Sequence, residues 1–308
     1  MNKFEVKEGI FLDLPSDAYH GIRGVYSSSQ LKHAFEDIEF FHKKYVLGSV
    51  EPDEEIPAFS VGTYFHTAVL EPEKMESECV VYKGIRRGKE WDSFKAANVG
   101  KAIITESEYK TAIGLIDAVK NSTIASARIK RGTPEVSAFL MLRVVGSVIY
   151  APSKGLVMGK NGWLIAKTMP SKGIDIWVKV RADLKAESFI LDLKSTTGNV
   201  KNNWEMRRKV SDYNYDLSAA MYLDIFSAVE GKTISEFIWT FASKEKLNCK
   251  NYIASTDNIR VGRAKYTKAI LNIAEGIQNS WEFPDYLEIL EPNLYEYELI
   301  KDKAEDIL

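Results

Sequence analysis

The residues best suited to chemistry gather near position 190. Asp183 is followed by Asp192, and Lys194 stands two residues beyond that. In a strand, residues i and i+2 share a face, so Asp192 and Lys194 project together while Leu193 turns into the core. If Asp183 closes the preceding strand of a hairpin, its carboxylate comes beside that of Asp192, and the pair offers oxygen ligands to one hard divalent cation such as magnesium. A hydrated ion held there against a phosphodiester supports hydrolysis, with Lys194 orienting the attacking water or stabilising charge that develops on phosphorus. The acid-x-lysine triplet alone says little, since Glu5-Val6-Lys7 repeats it. The preceding acid at hairpin distance is what sets Asp192-Leu193-Lys194 apart.

Two further residues belong to the candidate set. Glu135 opens the first long strand, directly after Gly132-Thr133-Pro134, and is either a third acid at the mouth of the same sheet or a solvated strand end. His66 lies in an apolar helix one turn after Gly62, whose missing Cβ leaves room for close backbone approach. On the residues alone, His66 reads first as a hydrogen-bonded core histidine.

The elements that must position these groups follow from periodicity. Ile174, Ile176, Val178, Val180 and Ala182 alternate with Asp175, Trp177, Lys179, Arg181 and Asp183, which predicts a strand over 174–184. A turn at Lys185 to Ser188 leads into a second strand, Phe189 to Lys194. Upstream, Ser27-Ser28-Ser29 caps a helix carrying Leu31, Phe35, Ile38 and Phe41 as far as about Tyr45. An acidic loop, Glu51 to Glu55, precedes a helix from Phe59 to Leu70 that Glu71-Pro72 ends. A short strand at Cys79 to Tyr82, a helix around Trp91 to Asn98 and a capping box at Thr105 to Glu108, with Ala112, Leu115, Ile116 and Val119 as its apolar stripe, complete a mainly helical half. Glu135 to about Tyr150 is strand-like, and a Lys160-Asn161-Gly162 turn joins Gly155–Met158 to Trp163–Thr168. Helices at Asn202 to Val210 and Tyr215 to Val229, strands at Phe237 to Ala242 and Cys249 to Ile253, and a long helix from Asp257 to Trp281 follow; the tail from Pro284 is acidic and aromatic. The order implies an α+β or mixed α/β fold, with a mixed central sheet flanked by helices. Without repeats or linkers, residues 1–308 read as one domain, mainly helical over 1–131 and sheet-containing over 132–308.

With 308 residues, 45% of them hydrophobic, the chain can bury a sizeable core. A net charge of −2 means that affinity for a polyanion must come from a local basic surface. The two cysteines, Cys79 and Cys249, lack the spacing of a zinc site, an iron–sulfur cluster or a disulfide framework, which suits a reducing, cytoplasmic setting. Neither a signal peptide nor a membrane span is expected.

Several segments together resemble the exonuclease VIII-like (RecE-like) nucleases of the PD-(D/E)XK superfamily, in order and approximate spacing. They are Gly9-Ile10-Phe11 through Tyr19-His20 to Ser27–Leu31, Gly62-Thr63-Tyr64-Phe65-His66 with Leu70-Glu71-Pro72, Pro134–Ser137, Val180-Arg181-Ala182-Asp183, and Leu191–Thr196. The resemblance covers about residues 9–230 and implies a PD-(D/E)XK core. It implies His66, Asp183 and Asp192 as ligands of magnesium, with manganese as a substitute and the Leu193 carbonyl as an extra ligand. It also implies Lys194 as catalytic and Glu135 as an acid near the metal. It further implies a phage- or prophage-encoded 5′-to-3′ exonuclease acting on double-stranded DNA ends in the bacterial cytoplasm. Such an enzyme leaves 3′ single strands for an annealing protein and works as a ring-shaped homo-oligomer. The chain departs from the family's Gln-x-x-x-Tyr motif: Tyr222 is present, but Ser218 stands at the glutamine position, which bears on how DNA is positioned. The stretch over 145–173 looks like an insertion.

Expected DNA contacts are a basic loop with an aromatic, Lys83, Arg86, Arg87, Lys89 and Trp91, and a second cluster at Lys201, Arg207, Arg208 and Lys209. Tyr222, Ser195 and Thr196 join this set. The competing reading of each basic cluster is a solvated helix face; phosphate contact is favoured for the first, whose Gly84 and Gly88 give it mobility. The competing functions are an endonuclease or nickase on the same core, and a non-catalytic DNA-binding recombination scaffold.

Overall fold

A computed structural model describes residues 4–51 and 57–283. In chain order its strands are β1 (Gly9–Phe11), β2 (Val25–Ser27), β3 (Cys79–Tyr82), β4 (Ala102–Thr105), β5 (Thr133–Val145), β6 (Val148–Ala151), β7 (Leu156–Gly159), β8 (Gly162–Ile165), β9 (Ile174–Lys185), β10 (Phe189–Thr196), β11 (Glu236–Ser243) and β12 (Cys249–Ile253). The helices are α1 (Ser16–Gly21), α2 (Ser28–Glu36), α3 (Ile38–Phe41), α4 (Pro57–Leu70), α5 (Met75–Glu78), α6 (Gly88–Ala97), α7 (Glu106–Lys120), α8 (Thr123–Ile129), α9 (Asn203–Asp212), α10 (Tyr215–Glu230) and α11 (Thr256–Gln278).

The main sheet runs β12-β11-β10-β9-β5-β6-β7-β8, with β1 added to β5 and β2 to β9. It is mostly antiparallel; β10 with β11 and β2 with β9 are its parallel pairs. This is the expected mixed α+β architecture. The sheet also takes two strands, β1 and β2, from the N-terminal segment read as helical, and β3 pairs with β4 in a small parallel sheet of its own. Strands as short as β1 and β2 carry little periodicity, so only pairing with a distant partner reveals them.

One face of the sheet packs against α4 and α7, where Phe65, Leu115, Ile116 and Val119 meet Leu184, Leu191 and Leu193. The other face packs against α2, α10 and α11 through Leu31, Phe226, Tyr266 and Ile270. The capping box at Thr105 and Glu108 opens α7 as expected, and a second one, Ser27 with Gln30, opens α2. The helix expected to continue to Tyr45 instead breaks at Asp37, whose side chain accepts from the Phe40 amide and starts α3. An aspartate that can bond backbone two or three residues ahead favours such a cap over helix continuation. The acidic tail from Pro284 and most of the acidic loop, residues 52–56, lie outside the described residues.

Behind α10, Asp224 accepts two bonds from Arg263 at 2.7 and 2.8 Å and one from the Tyr266 hydroxyl at 2.6 Å. The Asp224 carbonyl accepts from Trp163 Nε1, which ties the β7–β8 hairpin to the α10–α11 pair.

Candidate active site

Strand alternation in β10 works as the sequence predicts. Leu191 and Leu193 are fully buried against α4 and α7, while Asp192 and Lys194 face the other way. The antiparallel register pairs Ile190 with Lys185 and Leu191 with Leu184, and one further step sets Asp192 against Asp183. There the ladder gives way: Asp183 Oδ2 accepts from the Leu193 amide at 2.8 Å, so a carboxylate replaces the backbone partner. Where the strands part, a side chain from the α4 face can reach in, and His66 Nδ1 lies 3.7 Å from Asp183 Oδ2. Lys194 Nζ donates to Asp192 Oδ1 at 2.6 Å.

Glu135 extends this row onto a third strand. Its neighbours Pro134 and Val136 pair with Leu184 and Ala182, which puts Glu135 opposite Asp183. It has φ +54°, a left-handed conformation that costs a non-glycine residue free energy and that clusters at functional sites. Its Oε2 accepts from Arg181 Nε at 2.5 Å. Three acids therefore line up across β5, β9 and β10.

The electrostatics follow from that crowding. Burial, reinforced by Asp183 and opposed by Arg181, pushes the Glu135 carboxyl up to about 7. Burial also raises Asp192, against the pull of Lys194 and with the repulsion of Asp183. For Lys194, burial alone would favour the neutral amine, but Asp192 and Asp183 outweigh it and hold the ammonium more basic than an ordinary lysine.

Oxygen-rich, mutually repelling acids next to an imidazole are a donor set that a hard divalent cation would relieve. His66, Asp183 and Asp192 would hold it. Among the described residues, no three His, Cys, Asp or Glu side chains already stand at ligand spacing, and the Asp192 carboxylate is engaged by Lys194. The Leu193 backbone lies in register with Thr240 of β11, in the sheet interior.

Gly62 is not needed for the close backbone approach expected of it. A Cβ on Gly62 would meet Ser195 Oγ at 3.8 Å, an ordinary contact, so close packing of α4 on β10 does not require glycine there.

The expected DNA-contact residues divide. Arg86 is committed internally, giving both terminal nitrogens to Glu108 at 2.8 and 2.7 Å and one also to the Ile103 carbonyl. Trp91 makes a tilted ring contact with Tyr82, and the Arg86 guanidinium lies over its ring. Arg87, at the N-cap of α6, and Lys89, in its first turn, are exposed. In the second cluster Arg207 is exposed, whereas Arg208 pairs with Asp212 within α9 and lies over Trp204. Ser195 and Thr196 are half-buried and continue β10 past Lys194. The Tyr222 hydroxyl shares a hydrogen bond with Ser28, and burial, with the field of Asp183 and Asp192, raises it to about 12.

Two groups around the site were not among the sequence candidates. Tyr215, two turns before Tyr222 on α10, presents its ring 5.6 Å from Lys194 Nζ. Lys32 on α2 lies 5.1 Å from the same ring. The i, i+7 spacing of Tyr215 and Tyr222 was a usable signal; nothing local singles out Lys32.

The family model of the PDDEXK-like domain of unknown function (DUF3799) matches residues 27–291. No curated protein matches the sequence. Among solved structures, a candidate exonuclease from Eubacterium rectale superposes with a TM-score of 0.55 over 94% of this chain and 98% of its own, at 15% identity, which is a likeness of fold. The protein SSO0001 (13% identity, 77% and 83% coverage) and Rai1 of Scheffersomyces stipitis (11%, 90% and 76%) reach TM-scores of 0.26 and 0.24 and carry no argument.

Proposed function

The chain belongs to the PDDEXK-like family, and from that premise we propose that it is a divalent-metal-dependent deoxyribonuclease. The observation that carries the reading is the meeting of His66, Asp183, Asp192 and Lys194 where β9 and β10 part. A bound magnesium ion would supply Lewis-acid polarisation of the phosphodiester and an acidified water. The chain's own residues do the rest. Asp183, fixed by the Leu193 amide, and Asp192 set the negative side of the site. Lys194, kept charged by both acids, orients the incoming water or stabilises the extra charge on phosphorus. Glu135, held by Arg181, is a third acid facing Asp183 and can accept a proton near neutral pH.

The finer assignment is a 5′-to-3′ exonuclease on linear duplex ends that yields 5′-phosphorylated products and a 3′ single strand for an annealing protein. It would work as a ring-shaped oligomer in the cytoplasm of a bacterium carrying it on a phage or prophage. Support for this comes from the exonuclease VIII-like motif order around residues 62–72, 134–137, 180–183 and 191–196. No helix among the described residues is long and apolar enough to cross a membrane. Lys83, Arg87, Lys89, Lys201 and Arg207 are exposed cations of the two clusters that can meet DNA phosphates, whereas Arg86 holds its own loop.

The test incubates purified protein with end-labelled linear duplex and magnesium, alongside closed circular DNA. Digestion of the linear form only, from the 5′ end, is expected. Cutting of the circle moves the assignment to an endonuclease, and undiminished digestion by Asp192→Asn or Lys194→Ala removes those residues from the chemistry.

A further inference from the structure

We infer that Lys32 is a second phosphate-binding lysine of this site, gathered with Lys194 at the ring of Tyr215. The inference rests on the nuclease reading and adds a residue that it does not contain. Lys32 is half-buried on α2, in the helix that Ser27 caps, and its Nζ is 5.1 Å from the Tyr215 centroid, with Lys194 Nζ at 5.6 Å from the same point.

The acids whose field reaches Lys32 are Asp192, Asp216 and Glu36, and each is engaged elsewhere. Asp192 takes Lys194 at 2.6 Å, Asp216 takes Lys265 at 2.9 Å, and Glu36 accepts from the Asn214 amide at 2.5 Å. Lys32 itself has no carboxylate at ion-pair distance among the described residues. Burial and the neighbouring Lys194 charge together lower it to about 8.

A cation–π contact offsets only part of the cost of holding an ammonium out of water beside a like charge. A purely structural role therefore leaves the cation unexplained. A phosphate entering beside Lys194 removes both penalties at once: it neutralises two ammonium groups and gives each an oxygen acceptor. Lys32 is thus a positioning residue for the substrate backbone, placed by α2 on the side of Lys194 that Tyr215 lines.

The test compares wild type with Lys32→Met and Lys32→Arg. In chelator, inorganic pyrophosphate should raise the melting temperature of wild type and of Lys32→Arg but not of Lys32→Met. With magnesium and linear duplex, Lys32→Met should raise KM about tenfold with a smaller change in kcat, and the slope of log affinity against log salt should fall by about one. If Lys32→Met misfolds, Lys32→Gln takes its place under the same criteria. A pyrophosphate response and a KM unchanged from wild type in the neutral variant overturn the inference. If wild type digests no DNA yet pyrophosphate still separates the variants, the nuclease reading fails while the anion site stands.

Discussion

Asp183→Asn separates the chemical from the structural role of the acid row. The amide keeps an oxygen for the Leu193 amide, so the bond at 2.8 Å survives in weakened, neutral form, at a cost of about 1 kcal/mol. Against that, the substitution removes a charge facing Glu135 on one neighbouring strand and Asp192 on the other. Strands lie about 4.8 Å apart, so opposed carboxylates sit about 5–7 Å from each other. At an effective dielectric of about 20–40, each ionised neighbour then repels Asp183 by about 1–3 kcal/mol. The substitution also removes the attraction between Asp183 and the Lys194 ammonium, which offsets much of that gain. The net expectation in chelator is therefore a variant about 1 kcal/mol more stable than wild type, a rise of about 2–4 °C in Tm. Magnesium should stabilise wild type and leave the variant unmoved, and DNA hydrolysis should fall at least about 100-fold. The assay is thermal unfolding at neutral pH with chelator and then with magnesium, alongside digestion of linear duplex. A variant that melts several degrees below wild type in chelator, or that keeps its response to magnesium, would refute the reasoning, because Asp183 would then be a structural group and not a member of a frustrated acid row.

Glu135 makes stability depend on pH. Its folded pKa of about 7 exceeds the usual 4.5, so the folded state holds a proton that the unfolded chain has lost, and in chelator stability should fall as pH rises from about 4.5 to about 7. The loss is bounded at about 3 kcal/mol, and Glu135→Gln should flatten the profile over that window; urea unfolding at several pH values reads it. Lys194→Met leaves the Asp192 carboxylate buried without its partner, so it should lose about 1.5–3 kcal/mol of stability and also digest DNA at least about 100-fold more slowly. A variant as stable as wild type would show that the pair contributes nothing to the fold. Arg86→Ala should lower Tm through the lost Glu108 and Ile103 bonds, while the pair Arg87→Ala and Lys89→Ala should leave Tm unchanged and weaken duplex binding in a salt-dependent way. The reverse pattern would return Arg86 to the DNA interface.

Much of the molecule was legible because it depends on local patterns. Alternation in 174–184 and 189–194 set both strands and put Asp192 and Lys194 on one face, since side-chain direction in a strand has a period of two residues. Capping chemistry located the start of α7, and Pro72 located the end of α4. The hairpin between β9 and β10 follows from the short turn joining them, which leaves an antiparallel pairing as the near choice.

What tertiary structure alone decided are the contacts that join distant segments. His66 reaches Asp183 only because α4 crosses the sheet where β9 and β10 separate, a crossing that no spacing within α4 encodes. The same holds for Arg86, whose charge suggested DNA until Glu108 was found beside it, and for Lys32, which becomes notable only through Tyr215 and Lys194. The periodicity of a segment reports which side is buried. It cannot report which partner buries it, because pairing is fixed by the packing free energy of the whole core.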